Sequence, residues 1–302
     1  MSNFDNHGER QSDDKFDWGY FAHLSIYDFA GQFLKGKAVL DIGCGTGYGV
    51  KRMLDSGAST VSALERDEDL VRKLSADIKD ATFLSCDLEN GILPFSNETF
   101  DVVFSSNVFE HIIGVDAILD ECRRVLKKYG LLILAVPPVD GVGSLYINAQ
   151  NMFHITNLCS SAWQAKLQRY FSDVTSYRHW TVDDRVVDGH ILRDDAKLSD
   201  FIFSERRDSE STITAIFVAK NARDVVLGKS SAEENPEDWD SARVEAKARI
   251  ATFVSIMDTK NQVEDYWRKE IMGMREYLEK QIKINPSKAA KDTLNRLNIY
   301  FS

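Results

Sequence analysis

The sequence predicts an α/β protein built on an open, mostly parallel sheet, and two features carry that prediction. From Lys37 onward, short β-rich runs alternate with helix-compatible stretches, and strand, helix, strand repetition means parallel strands joined by right-handed crossovers. The first run ends in Asp41 and enters a turn with glycine at 43, 45, 47 and 49, after which a helix begins. A glycine-rich turn at the carboxyl end of a strand is where open α/β sheets bind their ligands.

The elements follow in order. Residues 1–36 are read as an N-terminal helical cover, and its first 20 residues have neither the basic start nor the apolar stretch of a signal peptide. Residues 37–220 are read as the ligand-binding domain. Its first five strands are KAVLDI (37–42), TVSALE (60–65), ATFLSC (81–86), FDVVFS (100–105) and LLILAV (131–136). Helices are placed at 48–56, 67–78 and 114–128. In the last of these Val115, Ile118, Leu119, Cys122, Val125 and Leu126 recur at steps of three and four, an apolar face suited to lying on a sheet. A helix near 161–170 and strands near 173–177 and 213–220 complete a seven-strand count. Between those two strands, Trp180 to Ser211 is charged and irregular and is expected to be an exposed excursion, a lid or loop. Residues 221–302 form a C-terminal helical region. It holds 14 of the 37 basic and 14 of the 47 acidic residues, so the body carries the whole net charge of −10. Its amphipathic stripes suit a helical cap, a dimerisation hairpin giving a homodimer, or a surface for a partner.

Composition narrows the class. The 302 residues suffice for a proper core, and 43% hydrophobic with 28% charged residues is ordinary for a folded chain. The acidic balance is a poor start for contact with polyanionic phosphates, so no nucleic-acid partner is expected. Cys44, Cys86, Cys122 and Cys159 lie at least 36 residues apart and form no CxxC, so neither a metal site nor a disulfide framework is expected. The longest aliphatic run, 131–136, falls far short of the about 20 residues of a membrane span. A cytoplasmic protein is expected.

Spacing decides what the glycine loop binds. The dinucleotide fingerprint GxGxxG would need glycine at 48 or 50, where Tyr48 and Val50 stand. A near match to a phosphate-binding loop at Gly31 to Lys37 has Ala38 in place of Ser or Thr and precedes the strand, so it carries no weight. The run Val39 to Gly47 instead resembles the first motif, hhDhGCGTG, of the class I S-adenosylmethionine-dependent methyltransferases. Further stations follow in that family's order: Glu65 ending the second strand, Asp87 after the third, FDVVFSSNVFEHI (100–112) at the fourth and LKKYGLLILAVP (126–137) at the fifth. The resemblance covers about 37–220 and implies a Rossmann-like seven-stranded sheet with a C-terminal helical appendage. It also implies S-adenosylmethionine as cofactor.

The residue chemistry agrees. Glu65 lies 22 positions after Gly43, a separation that can place a carboxylate beside a ribose diol. Asp87 can accept from an adenine amino group, with Leu88 as apolar cover, and Asp41 with the Gly43-Cys44-Gly45 backbone and Gly47 suits the amino-acid end. Arg66 is implied beside the adenosine, and Ser106 and Asn107 near the methionine moiety. Taken singly, Asp41 reads equally as a turn cap, Glu65 as a solvated strand end and Asp87 as a helix start.

An activated methyl needs an aligned nucleophile, and a hydroxyl nucleophile gains from a general base. His111, after the fourth strand, and His154, beyond the fifth, are the catalytic candidates; His23, His179 and His190 rank lower. The stretches HGERQ (7–11) and NMFHITNLCSSAWQAKLQRYFSDVTSY (151–177) look like bacterial methyltransferases of glycan and lipopolysaccharide assembly. A small-molecule or glycan acceptor, methylated on oxygen, is the leading expectation. A quinone-like or natural-product acceptor shares the same cofactor half, and a non-catalytic scaffold binding a partner through its tail is the reading outside enzymology.

Overall fold

A computed structural model of the chain describes residues 18–141, 144, 148, 151, 153–181, 186–187, 190–191, 197–206 and 212–222. Among these, the elements run α1 (Trp18–Gly31), β1 (Ala38–Ile42), α2 (Tyr48–Asp55), β2 (Thr60–Glu65), α3 (Glu68–Asp77), β3 (Ala81–Ser85), β4 (Phe100–Ser106), α4 (Val115–Val125) and β5 (Leu126–Val136). They continue with α5 (Ser160–Tyr170), β6 (Phe171–Thr181), β7 (Val186–Val187), β8 (His190–Ile191), β9 (Phe201–Glu205) and β10 (Thr214–Ala222). The C-terminal helical region and the homodimer expected of it lie outside the described residues, as does HGERQ.

The sheet order is β3-β2-β1-β4-β5-β10-β6-β9. The first five strands are mutually parallel, and β10 runs antiparallel between β5 and β6. The order reverses at β1, between β2 and β4, so the carboxyl ends of these strands frame a crevice directly above the glycine turn. Helices cover both faces. On one, the α4 stripe Val115, Ile118, Leu119, Cys122 and Val125 is buried together with Trp163 and Leu167 of α5. On the other, Ile26 and Tyr27 of α1, Met53 of α2 and Leu74 of α3 pack on Val39, Val61 and Phe104. A strand sandwiched this way must be apolar on both sides, and Thr214–Ala219 of β10 is buried without a break.

Local chemistry sets the boundaries. The Asp67 carboxylate accepts from the Asp69 and Leu70 amides and caps α3. Acidic Asp116 in the first turn of α4 and basic Arg123 and Arg124 in its last turn suit the helix dipole.

Three expectations change. The sheet has eight strands, because β9 adds to the edge and pairs antiparallel with β6 over Tyr177–Thr181. The segment expected to be an exposed excursion therefore begins as strand and returns to the sheet at Phe201. The reason is aromatic packing: Phe203 stacks on the buried His179 ring at 4.9 Å and meets Phe29 of α1 at the same distance, while Phe201 meets Trp18 at 5.9 Å. The fifth strand is also longer than its aliphatic run, starting at Leu126 with a register shift between Phe100 and Val102. No helix among the described residues is long and apolar enough to cross a membrane.

Candidate active site

The turn after β1 is built for close approach. Gly43, Gly45 and Gly47 all have positive φ. A Cβ placed on Gly45 would meet nothing within 4 Å, so at φ +53° this residue lines an open cradle. Gly49 serves packing instead: a Cβ there would come within 2.1 Å of the Tyr27 ring, so glycine is what lets α1 close over the loop. The Cys44 side chain is buried in the core, leaving only its backbone to the turn.

Asp41 is fully buried beneath this cradle. Its Oδ2 takes a long, 3.4 Å contact from the Tyr27 hydroxyl, while Oδ1 has no hydrogen-bond partner among the described residues. Burial pushes its pKa up to about 7; the Tyr27 bond works against that and the nearby Glu65 carboxylate adds to it. An orphan buried carboxylate oxygen under an open glycine cradle fits a cationic ligand group, such as the ammonium of an amino-acid moiety.

Glu65, at the end of β2, is buried and holds the loop in shape. Oε2 accepts from the Gly45 amide at 3.2 Å, and Oε1 accepts from the Arg66 and Asp67 amides at 2.9 and 3.1 Å. It is thus not a solvated strand end. The Arg66 side chain is exposed. Asp87 uses Oδ1 to accept from the Glu89 amide, capping the short turn at Leu88–Asn90, so its reading as a helix start holds. Leu88 packs on the core edge. After β4, Asn107 turns the chain at φ +53° and donates from Nδ2 to the Ser106 hydroxyl at 3.1 Å; His23 Nε2 lies 3.5 Å away.

The two histidine candidates meet. The rings of His111 and His154 are 4.9 Å apart and nearly perpendicular. Backbone bonds bring them there: the Ile155 and Thr156 amides both donate to the Glu110 carbonyl at 2.8 Å, and the Thr156 hydroxyl donates to the Ile112 carbonyl at 2.6 Å. His111 donates from Nδ1 to the Phe153 carbonyl at 2.9 Å, and His154 from Nδ1 to Asn148 Oδ1 at 2.5 Å. Asn148 is itself oriented by donating from Nδ2 to the Ser144 carbonyl. In this hydrogen-bonding assignment both rings carry the proton on Nδ1, and Nε2 is the basic nitrogen. His179 is remote from this chemistry: fully buried, bonded to the Ser25 hydroxyl and pushed down to about 3 by burial. Of His190 only the strand position in β8 is described.

Sequence does not single out Tyr27 or Asn148, and it marks Glu110 only as the neighbour of His111 in the Glu-His pair after the fourth strand. The tyrosine-rich helix α1 was read only as cover, and Asn148 signals nothing without its partner.

Residues 40–134 match the model of the family described as "Methyltransferase domain". Among curated relatives, a tRNA U34 carboxymethyltransferase of Alteromonas mediterranea is 29% identical over 170 residues, 50% of this chain and 50% of that one. The same-named protein of Hydrogenovibrio crunogenus is 35% identical over 135 residues, 41% and 40% of the two chains. The chain thus spans about half the length, or less, of the curated relatives it matches. A SAM-dependent methyltransferase of Thermotoga maritima superposes with TM-score 0.52 at 16% identity, covering 67% of this chain and 90% of that one. The methyltransferase solved with the Trm112 activator of Haloferax volcanii gives 0.50 at 20%, covering 67% and 91%. The expectation that excluded nucleic acid is overturned by the tRNA enzymes among these relatives: net charge sums over a chain and says nothing about one surface. Motif, sheet order and family match agree: residues 40–134 carry a methyltransferase domain, on the fold of the class I S-adenosylmethionine-dependent enzymes.

Proposed function

We propose that this protein is a methyltransferase acting on an oxygen nucleophile of a hydroxylated acceptor, such as a sugar, placed at the His111–His154 end of the crevice. One observation carries the reading: an open glycine cradle above an orphan buried carboxylate is followed, along the carboxyl ends of the neighbouring strands β1, β4 and β5, by two touching imidazoles with defined tautomers.

S-adenosylmethionine, when bound, supplies a methyl group already activated by its sulfonium. The chain holds and orients. Asp41 Oδ1 and the backbone of 43–47 receive the amino-acid end, with Ser106 and Asn107 beside it. Glu65 fixes the Gly45 amide and faces the ribose, and Asp87 with Leu88 and Arg66 borders the adenine. α1, with Tyr27 against Asp41, keeps water from the cradle floor. The acceptor's proton passes to Nε2 of the histidine pair, since both Nδ1 atoms are already donors.

The names of the curated relatives favour a second reading, in which the acceptor is carried on tRNA. Labelled S-adenosylmethionine incubated with the protein and cell extract, then fractionated into small molecules, glycans, protein and RNA, tests both. Label in small molecules or glycans supports the first reading and label in RNA the second. No label in any fraction, with the cofactor bound, turns the assignment toward a partner-binding scaffold. His111→Ala and His154→Ala should each slow transfer; full turnover in both removes the histidines from proton transfer.

A further inference from the structure

We propose that Glu110, His111 and His154 form a binding site for one divalent transition-metal ion of the zinc, cobalt, manganese or iron(II) class. One donor atom from each lies within 4.8 Å of the others, and Glu110 Oε1 is 3.9 Å from His111 Nε2. Ligands about 2.0–2.2 Å from a shared ion sit roughly 3–4 Å from one another, so a side-chain movement of about 1 Å closes the set.

Three features go beyond proximity. Both imidazoles donate from Nδ1 to a carbonyl oxygen, Phe153 O and Asn148 Oδ1, the outer contact that orients a metal-ligating histidine and directs its Nε2 lone pair inward. The residues come from two segments more than 40 positions apart, yet the paired amides on the Glu110 carbonyl hold those segments together before any ligand arrives. The set is also graded in depth: the Glu110 side chain is 2% exposed and His111 29%, which puts the carboxylate at the floor and leaves the imidazoles at the opening. Two nitrogens and one carboxylate oxygen select against magnesium and calcium, which prefer all-oxygen shells. Three protein ligands leave further positions open, as in catalytic rather than structural sites. With the ion bound both Nε2 lone pairs are its ligands, so the histidine pair no longer takes the acceptor's proton as in the metal-free reading above; the ion would lower the pKa of a coordinated hydroxyl and the proton would leave to water. This use in methyl transfer rests on the function proposed above; the binding itself does not.

The test is Co²⁺ added to the full chain after removal of adventitious metal, read by equilibrium dialysis and by visible absorption, with cofactor affinity measured on the same samples. One Co²⁺ per chain is expected, with ligand-field bands that are lost in His111→Ala and His154→Ala and weakened in Glu110→Gln. Near-UV circular dichroism checks folding, and half-exposed His154 in its loop supplies a testable variant even where substitution of buried Glu110 unfolds the chain. Absence of Co²⁺ uptake, or uptake of equal affinity in both histidine variants, overturns the proposal. Co²⁺ uptake by wild type that is lost in those variants, together with no S-adenosylmethionine binding by wild type, would sink the methyl-transfer reading and leave the metal site standing.

Discussion

Gly45→Arg separates the cradle from the fold. The backbone at 45 is left-handed, φ +53°, so any L side chain there costs about 1–2 kcal/mol. No atom lies within 4 Å of the new Cβ, so no clash adds to this, and the 45 amide keeps its bond to Glu65. At about 2–4 °C per kcal/mol for a domain of this size, the melting temperature should fall by roughly 2–8 °C and the protein should remain folded at 25 °C. Binding is hit much harder. The guanidinium stem fills the open space over the turn and brings a positive charge to a cofactor that is itself cationic at sulfur. We expect the Kd for S-adenosylmethionine to rise at least a hundredfold, about 2.8 kcal/mol or more. Equilibrium dialysis with labelled cofactor, beside a thermal melt, reads both quantities. A Kd within threefold of wild type in a folded variant would refute the placement of the cofactor against this turn.

Gly49→Ala should do the opposite, because its Cβ runs into the buried Tyr27 ring: a loss of about 1–3 kcal/mol in stability from overpacking, seen by denaturant titration and absent if α1 does not pack on this loop. Asp41, with a pKa near 7, must be ionised to pair with an ammonium, so cofactor Kd should be flat above pH 7 and rise up to about tenfold per unit below it, a dependence that Asp41→Asn should remove. Because the folded pKa is raised, the native state holds this proton more tightly than the unfolded chain. Stability of the cofactor-free protein should therefore fall as pH rises from about 4 to about 7, measurable in melts of wild type against Asp41→Asn. Asn148→Ala frees His154 Nδ1 and should cut methyl transfer by about tenfold with cofactor Kd unchanged, the size of effect seen for groups that orient a functional histidine; a shift in Kd instead would make Asn148 structural.

The parallel half of the sheet was legible because both of its signals are local. Each of β1 to β4 falls within a residue of its β-rich run, and the α4 stripe is buried at the positions the periodicity picks out. In a doubly wound sheet successive strand ends must come together, so the positions of Asp41, Glu65 and Asp87 at neighbouring strand ends followed from their places in the chain. β9 was not legible. FIFSE alternates as a strand should, but it sits among charged residues, and what fixes it is a cluster of rings from α1 and β6 that meets only in three dimensions. Charge misled in another way, because a net −10 is a property of the whole chain and binding is a property of a patch.

The acceptor side shows where sequence reading reaches its limit and why. The sequence leaves His111 and His154 as two separate candidates for the base, because nothing in their spacing links them. The fold removes that choice. Two amides on a single carbonyl, Glu110 O, pin the loop beyond β5 to the turn after β4, and the imidazoles are then in contact whatever either does alone. Substituting one changes the tautomer, the depth and the ligand count available to the other, so their single effects on turnover should not add. A double variant that loses no more than the worse single variant would identify one unit, base or metal ligand set. Losses that multiply would return the two histidines to independent roles.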